Sequence, residues 1–282
     1  MDKKISYKKC PYCELNYIPM DEVCCKVCYS NFQSARNKSN NVNRENNNND
    51  YKKIDPQKLK EERLKKQEEK LRRIKLKEQK EYSDRQELLK LWKSYGFIGF
   101  LHTADFKNFI LIYKSKFLKS RKQLIKEGIN FIDNAEEGVI EKTSETIKFM
   151  VRFYYRPITP TNISAYISHN QKNPVLIVFD ENIIFDKSVT FCDGCAGSNL
   201  TSRTKEAEDA LLYDWKEIFS RGAFNSDDFI LKNHRNAEFL IKSPLSLEYA
   251  TKFYFKNYMD YVNACKLFGN DNRFEHNPKL FY

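Results

Sequence analysis

Apolar runs after residue 95 predict a domain that contains several β-strands. The segments VRFYYRP (151–157), NPVLIVFD (173–180) and AEFLI (237–241) have the composition of strands, and the second is apolar enough for the centre of a sheet. The segment IIFDKSVTFCDG (183–194) predicts a strand or hairpin that ends in a glycine turn.

Two other segments have helical periodicity. ADFKNFILIYKSKFL (104–118) repeats its apolar residues at helical spacing, and EAEDALLYDWKEIF (206–219) predicts one amphipathic helix. Short strands and helices that do not alternate regularly are typical of α+β domains. We therefore expect residues 95–282 to form one α+β domain.

The polar N-terminal part divides into three predicted segments. Residues 1–30 form a cysteine-containing segment, and the Asn-rich stretch 31–55 contains too little apolar surface to fold and predicts a flexible linker. Residues 56–94 predict a charged helix, since Lys58 to Trp92 contains neither Gly nor Pro. From Lys58 to Lys90 there are 13 Lys and Arg against 8 Asp and Glu, so this helix is either a solvated tether or a basic arm on phosphates.

Four cysteines in the first segment predict a structural zinc site. Cys10 and Cys13 form one C-x2-C pair, and Cys25 and Cys28 form a second, with Cys24 as an alternative ligand to Cys25. Two such pairs are the sequence mark of a zinc knuckle or ribbon, because each turn directs two thiolates at one metal ion. About thirty residues rarely fold without such a metal.

The charge balance indicates a polyanionic partner. The formal net charge is +11 and the sequence pI about 9.1, which suits nucleic acid or an anionic membrane face, although abundant lysine alone gives the same balance. No run of apolar residues reaches the length of a membrane span, and the basic N-terminus lacks the apolar core of a signal peptide. We expect a cytoplasmic protein whose eight cysteines stay reduced.

Glu238 is the residue that the apolar pattern leaves unexplained. It is the one carboxylate in the strand AEFLI, and burying an unpaired carboxylate costs several kcal/mol. The sequence contains no phosphate-binding loop, dinucleotide fingerprint, H-E-x-x-H or G-x-S-x-G motif. Cys192-x2-Cys195 reads first as a turn, because Asp-Gly separates the thiols.

Four blocks in order resemble the DarT-type DNA ADP-ribosyltransferases, toxins of bacterial toxin–antitoxin systems. The first block is FLHTADFKNFILIYKSKFLKSR (100–121), and the second, VRFYYRPITPT (151–161), resembles the family's aromatic strand with two prolines. The third joins NPVLIVFD to VTFCDGCAGSN (189–199), and HRNAEFLI (234–241) resembles the strand that carries the family's catalytic glutamate. The resemblance covers roughly residues 100–255 and implies an ADP-ribosyltransferase fold, a split mixed β core with an NAD cleft.

The resemblance also implies residue roles. Glu238 would bind the ribose 2′-hydroxyl and stabilise the oxocarbenium-like transition state as nicotinamide leaves, and Arg156 would lie at the NAD phosphates as a second catalytic residue. His102 and Thr103 would bind the nicotinamide ribose and carboxamide. A tyrosine of the second block, Tyr154 or more specifically Tyr155, would stack on nicotinamide.

The same blocks place Arg121 and Asp193 among the NAD-binding residues. Two positions depart from the family pattern: Cys195 stands where the family has asparagine, and Ile158 stands where many thymidine-modifying members have arginine. The target base is therefore open between thymine and guanine.

We expect an enzyme that transfers ADP-ribose from NAD to a base of single-stranded DNA and releases nicotinamide. Single strands are expected because a paired base hides its reactive edge. The family also implies a macrodomain antitoxin of the DarG type as a partner. The alternative is a zinc-knuckle nucleic-acid-binding protein whose transferase domain is inactive or modifies RNA or protein.

Overall fold

The computed structural model describes residues 7–9, 17–19, 56–133, 143–168, 171–222 and 228–281. The predicted zinc ligands Cys10, Cys13, Cys25 and Cys28 and the stretch 31–55 lie outside these residues. The chain divides into two compact units, Met1–Lys66 and Gln67–Tyr282. In the first unit, the strands β1 (Tyr7–Lys9) and β2 (Tyr17–Pro19) pair in antiparallel orientation.

The predicted charged helix is present as α1 (Pro56–Ser94). Its side chains from Glu61 to Lys80 are exposed, as expected for a run with few apolar residues. Near its C-terminal end the pattern changes, and Leu88, Leu89 and Trp92 are buried in the core of the second unit. In the part of the chain that the structure describes, this helix and all others are too short or too polar to cross a bilayer.

The second unit is a mixed α+β domain, as predicted. Its strands are β3 (Phe100–Asp105), β4 (Phe117–Leu118), β5 (Met150–Tyr154), β6 (Pro174–Phe179), β7 (Thr190–Cys192), β8 (Arg203–Thr204), β9 (Glu238–Lys242), β10 (Leu245–Ser246), β11 (Ala250–Phe255) and β12 (Phe274–His276). Its helices are α2 (Phe106–Ser115), α3 (Arg121–Lys126), α4 (Glu145–Lys148), α5 (Pro160–Ile167), α6 (Ala207–Ala210), α7 (Trp215–Ile218), α8 (Phe229–His234) and α9 (Tyr258–Phe268), with 3-10 turns at Glu181–Phe185, Leu247–Tyr249 and Pro278–Leu280.

Eight strands form one sheet in the order β12-β11-β6-β3-β5-β9-β7-β8, and β4 pairs with β10 separately. Within the large sheet β11 and β12 are parallel and the other neighbours are antiparallel. The apolar run predicted to be central is β6, whose six residues are all buried between β11 and β3. This outcome confirms that prediction, because a strand covered on both faces has no polar alternation.

The sheet is split at its middle. The neighbours β3 and β6 pair over six positions, whereas β3 and β5 pair only at Leu101 and Tyr154. The two four-stranded halves therefore separate beyond this pair, which matches the split β core that the resemblance implies.

The two faces of the sheet differ in character. One face carries the main core, which contains Phe100, Phe153, Phe179 and Phe239 and the buried end of α1. The other face has only two small apolar clusters, centred on Leu176 and Leu240. Because side chains alternate along a strand, each strand contributes to both faces.

The two helices predicted in this domain, at 104–118 and 206–219, both fall on helical residues. The second prediction is wrong in one respect, because that segment is not a single continuous helix. The segment 104–118 contains α2, where Asp105 caps the helix by accepting a hydrogen bond from the Lys107 amide at 3.0 Å. The segment 206–219 contains two four-residue helices, α6 and α7, instead of one. Asp214 interrupts the helix because its side chain accepts from the Glu217 amide and caps a new helix.

Candidate functional site

A cleft of about 830 Å³ opens where the two halves of the sheet separate. Its walls include His102 and Thr103 from β3, Arg152 and Tyr154 from β5, and Glu238 at the start of β9. The split therefore places polar groups from both halves around one space. The volume lies within the range of roughly 300–1,000 Å³ that small-molecule and cofactor sites occupy.

Strand register explains why Glu238 faces the cleft. Glu238 lies directly opposite Tyr154, and Leu240 lies opposite Arg152. Residues two apart on a strand share a face, so Arg152, Tyr154 and Glu238 are on the same side of the sheet. The intervening Phe239 points into the main core.

The carboxylate of Glu238 is buried but has polar partners. Its side chain is 3% exposed, Oε2 accepts a hydrogen bond from the Ala196 amide at 2.6 Å, and Oε1 lies 3.8 Å from Arg152 Nη1. Burial raises the pKa of Glu238, while Arg152, the Ala196 amide and then Arg203 act in the opposite direction. Two arginines and one backbone amide therefore partly oppose the effect of burial on this carboxylate.

The loop that carries Ala196 is fixed by a buried asparagine. Asn233 of α8 accepts a hydrogen bond from the Cys195 amide at 3.2 Å, and its Nδ2 donates to Thr201 Oγ1 at 3.1 Å. A Cβ at Gly194 would lie 2.0 Å from Asn233 Nδ2, so only glycine allows this approach. Cys195, which replaces the family's asparagine in sequence, is thus held by an asparagine from a distant segment.

His102 occupies the gap between β3 and β5. Its Nδ1 lies 3.0 Å from the Arg152 carbonyl oxygen, and since a carbonyl only accepts, Nδ1 carries the proton. Burial lowers the pKa of His102, which favours the neutral ring. In that tautomer Nε2 is an acceptor, which suits a hydroxyl or amide donor of a ligand.

Thr103 and Arg121 also line the cleft. Thr103 Oγ1 accepts a hydrogen bond from Asn162 Nδ2 at 3.2 Å, which fixes the hydroxyl. Arg121 begins α3 behind the N-cap Ser120, and its guanidinium pairs with Asp133. Burial lowers the pKa of Arg121, and the neighbouring carboxylate of Asp133 acts in the opposite direction and raises that pKa. The structure therefore brings four predicted residues into one cleft: His102, Thr103, Arg121 and Glu238.

Three other predicted residues lie elsewhere. Tyr155 is 1% exposed in the main core, where its ring contacts Trp92 and Trp215 at centroid distances of 5.0 Å, because β5 alternation directs Tyr154 to the cleft. Arg156 follows the end of β5 and donates a hydrogen bond to the Ile218 carbonyl at 3.1 Å.

Asp193 is the third predicted residue outside the cleft. Its Oδ1 accepts a hydrogen bond from the Ser202 amide at 2.8 Å, so it closes the turn between β7 and β8. Neither Asp193 nor Arg156 nor Tyr155 is among the described residues that line the cleft with Glu238. Each of the three residues therefore has a structural contact within the domain, and their predicted contacts with NAD stay predictions.

Sequence reasoning missed Arg152. Its guanidinium is the basic group paired with Glu238, and its carbonyl holds His102. The sequence carries a signal for it, because Arg152 and Tyr154 have the same parity in VRFYY and the apolar Val151 and Phe153 have the other. The signal becomes useful only once the register with Glu238 is known.

The charges around the cleft suit an anionic ligand with a cationic reaction centre. Among the described residues, its lining contains six basic side chains and a single carboxylate, Glu238. The basic residues are Lys114, Lys119, Arg121, Lys148, Arg152 and Lys232. Such a lining attracts phosphate groups, while the carboxylate can stabilise a positive charge that develops next to it.

Comparison with solved structures shows the same fold in DarT proteins. Thermus sp. 2.9 DarT in complex with ADP-ribosylated ssDNA is 14% identical with a TM-score of 0.56, over 65% of this chain and 95% of that chain. Thermosipho africanus DarTG in complex with ADP-ribose is 16% identical with a TM-score of 0.56, over 64% of this chain and 50% of that chain. Thermus sp. 2.9 DarT in complex with NAD+ is 13% identical with a TM-score of 0.52, over 65% of this chain and 96% of that chain.

No curated protein matches the chain. The family model described as "ssDNA thymidine ADP-ribosyltransferase, DarT" matches residues 101–282, which include the cleft and the sheet. This match covers more than half of the chain and confirms the family that the four sequence blocks resemble. The chain belongs to the DarT family of ssDNA thymidine ADP-ribosyltransferases.

Proposed function

We propose that this protein transfers ADP-ribose from NAD to a thymine base of single-stranded DNA and releases nicotinamide. The observation that carries the proposal is Glu238, a buried carboxylate that faces the cleft of a split sheet in a DarT-family domain. The DarT structure with NAD+ and the DarT structure with ADP-ribosylated ssDNA share this fold and support the choice of both substrates.

The cleft residues give the reaction a physical course. NAD would place its nicotinamide ribose beside Glu238 and His102, with the pyrophosphate toward the basic side chains of the lining. As the bond between C1′ and the nicotinamide nitrogen breaks, the ribose gains positive charge, and the fixed carboxylate of Glu238 stabilises it. Nicotinamide leaves as a neutral molecule with the bonding electrons.

The second half of the reaction forms a bond from a base nitrogen to C1′. The only ring N–H of thymine in DNA is at N3, so its proton must leave when N3 attacks, and Glu238 is the carboxylate in the cleft that can accept it. Because the same N3–H pairs with adenine in a duplex, the reaction requires an unpaired base. The family description names thymidine, and this supports thymine over guanine as the target base.

The test is an ADP-ribosylation assay on defined oligonucleotides. We expect NAD and a thymine-containing single strand to give a DNA product heavier by one ADP-ribose in mass spectrometry, and the same strand in a duplex to give none. Glu238→Gln should slow product formation by about 10³-fold, whereas Glu275→Gln, which changes a carboxylate outside the cleft, should not. Product from the Glu238→Gln protein at the wild-type rate, or a product on RNA or protein alone, would contradict the proposal.

We propose separately that Cys10, Cys13, Cys25 and Cys28 bind one structural zinc ion. Four thiolates in two C-x2-C pairs match the tetrahedral sites of zinc knuckles. Metal analysis of freshly purified protein should give about one zinc per chain. Cys25→Ser should lower this value and Cys24→Ser should not; the reverse result would assign the ligand to Cys24, and zinc-free wild-type protein would rule out the site.

We also propose that a macrodomain partner of the DarG type removes the modification. The fold is shared with Thermosipho africanus DarTG in complex with ADP-ribose, which supports a link to ADP-ribose-binding partners. Co-expression with such a macrodomain should restore growth of cells that the wild-type protein inhibits. A macrodomain that leaves the DNA adduct intact and the cells inhibited would contradict the proposal.

A further inference from the structure

A second cavity of about 370 Å³ lies next to the cleft. Its walls come from the turn before β3 at Tyr95 and Gly96, from the segment between β5 and α5, and from the loop after α7. Pro160 lines both this cavity and the cleft, so the two spaces are neighbours at the start of α5. We call this space the arginine cavity, after the arginines that line it.

The arginine cavity is lined by positive charge. Among the described residues that line it there are four basic side chains and no Asp or Glu; the four are Arg156, Arg221, Arg235 and Lys279. Arg221 and Lys279 are exposed at its edge. Phosphate is the anion that guanidinium groups bind with the best geometry, because the planar fork donates two parallel hydrogen bonds.

Two of the arginines are held in place by a single loop. Arg156 Nη1 donates hydrogen bonds to the carbonyls of Ile218, at 3.1 Å, and Ser220. Arg235 donates to Ser220 Oγ at 3.1 Å and to the Gly222 carbonyl at 2.8 Å. The carbonyls fix the directions of both guanidinium groups before any ligand arrives, which lowers the entropy that binding must cost.

The grouping of these charges is unfavourable without an anion. The pKa of Arg156 is lowered to about 10, first by burial and then by like-charge repulsion from Arg235 and Arg221. A phosphate group in the cavity would reverse this effect, because it places a negative charge among the three guanidinium groups.

An aromatic pair on the wall suits nucleic acid rather than a free anion. Tyr95 and Phe219 both line the cavity, and their rings stack with centroids 5.6 Å apart and planes at 13°. Proteins that bind single strands combine a basic surface with aromatic side chains on which bases stack. The apolar side chains of Ile158 and Ile163 complete a wall of that kind.

We propose that the arginine cavity binds a backbone phosphate of the substrate DNA strand, next to the nucleotide whose base enters the cleft. The identity of the bound strand rests on the proposed function. The closeness of the two sites rests on Pro160, which lines both the cleft and the arginine cavity. It gives Arg156 and Arg235 a role in holding DNA rather than NAD. It also gives Ile158 a place, since this residue lines the arginine cavity instead of the cleft.

The test is the salt dependence of DNA binding, measured by fluorescence anisotropy with a thymine-containing single strand and no NAD. The variant Arg221→Gln/Lys279→Gln removes two exposed charges that form no ion pair among the described residues, so we expect the fold to be retained. Because the cavity is proposed to bind one phosphate, losing its neutralisation should reduce the slope of log K against log salt by up to about 0.7. We expect Kd to rise about tenfold at low salt, as loss of two screened charge contacts predicts.

The matched control is Lys187→Gln/Lys266→Gln, which removes the same charge from two exposed lysines that line neither cavity. This control should change Kd and the slope much less. Equal effects of the two double variants would overturn the proposal, since they would show a general charge effect. Competition by inorganic phosphate as effective as that by the oligonucleotide would also overturn it, in favour of a free-anion site.

Failure of this proposal is separable from failure of the proposed function. The KM for NAD should be unchanged in Arg221→Gln/Lys279→Gln, while the KM for DNA rises. If wild-type protein binds the strand through these residues but forms no adduct with NAD, the phosphate site stands and the proposed transfer fails. If adducts form and the variant binds DNA like wild type, the transfer stands and the phosphate site fails.

Discussion

The two faces of β5 and β9 are built from alternate residues of the same ten positions, yet they have opposite properties. One face presents Val151, Phe153, Phe239 and Ile241 to the main core. The other presents Arg152, Tyr154 and Glu238 to the cleft. Neighbouring residues therefore differ in whether they stabilise the domain or carry the chemistry.

The comparison shows how a buried charge is tolerated in a strand. The core face supplies dense aromatic packing, such as Phe239 against Phe100 with ring centroids 4.0 Å apart. That packing offsets the cost of the cleft face, where burial of Glu238 opposes its ionisation. The sheet can hold an unfavourable anion on one side because the other side fixes its backbone.

The largest expected effect is on activity, from Glu238→Gln. We expect the transfer rate to fall by about 10³-fold, the loss typical of a removed electrostatic partner of the transition state. Gln keeps the shape and the acceptor for the Ala196 amide, and it removes a carboxylate whose pKa is raised by burial, so the free energy of unfolding at pH 8 should not fall. Single-turnover assays and urea unfolding measure the two quantities.

The effect of Glu238→Gln on the free energy of unfolding should depend on pH, and the raised pKa of Glu238 fixes the direction. A carboxyl whose folded pKa is raised is destabilising when ionised, so any gain in stability from Glu238→Gln is present above the folded pKa. The gain should disappear as the pH falls through the folded pKa toward 4.5, the ordinary value. A marked loss of stability at pH 8 would break the comparison, because Glu238 would then hold the fold.

The neighbouring substitution Phe239→Ala is expected to act on stability, in contrast to Glu238→Gln. Removing this fully buried ring should lower the free energy of unfolding by about 3–5 kcal/mol. Denaturant unfolding measures the loss. If the alanine protein does not fold, Phe239→Leu remains testable, with an expected loss of roughly 1–2 kcal/mol. A stable Phe239→Ala protein would show that the core face is not what supports Glu238.

Gly194→Ala tests whether the loop positions the carboxylate. The added Cβ would lie 2.0 Å from Asn233 Nδ2 and 2.7 Å from Thr201 Oγ1, so the loop must move. Weakening one hydrogen bond to a charged group costs about 1.5–3 kcal/mol, which corresponds to roughly 10- to 150-fold in rate. In an Asn233→Ala background the closest contact is gone and only Thr201 Oγ1, at 2.7 Å, stays in the way of the added methyl group. The cost of Gly194→Ala should therefore shrink; equal costs in both backgrounds would exclude the steric explanation.

The smallest of these effects is expected from Arg152→Gln, and it concerns the pH dependence of kcat/KM. Arg152 is the largest influence that lowers the pKa of Glu238, so its loss raises that pKa further. Because transfer needs the ionised carboxylate, the acidic limb of kcat/KM should move to higher pH.

The groups that face Glu238 make this pH shift specific. They are Arg152 and Tyr154 of β5, Cys192 and Cys195 around the β7 turn, and Arg203 of β8. Arg152→Lys should restore most of the profile, and Arg121→Gln should raise the KM for NAD without moving the limb. An unmoved limb in Arg152→Gln would show that Arg152 does not act through Glu238.

The sequence predicted those elements whose pattern is local. The strand 174–179 is recognisable because every residue is apolar, and α2 because its apolar residues recur at helical spacing. Glu238 was identifiable because one carboxylate in an apolar strand has no ordinary structural role. The break in the helix at Asp214 was not predicted, because the residues on both sides of it have a helical pattern. The break depends on the hydrogen bond by which Asp214 caps the second helix.

The rest of the site depends on contacts between distant segments. Tyr155 was predicted in place of Tyr154 because the parity of a strand cannot be assigned to a face without its neighbour. The position of Arg156 outside the cleft lining could not be predicted, because the sequence does not show that β5 ends at Tyr154. The link between Asn233 and Cys195 spans 38 positions, and no local signal predicts it.

The hydrogen bond between Ala196 and Glu238 has a consequence for biosynthesis, since it joins residues 42 positions apart. The cleft also needs His102 from β3 and Arg152 from β5, which leave the ribosome long before β9. Translation adds about 5–20 residues per second, so several seconds separate the first site residue from the last. Nascent chains and fragments that stop before β9 therefore lack the carboxylate, and a cell that makes this protein meets its activity only after β9 has emerged and folded.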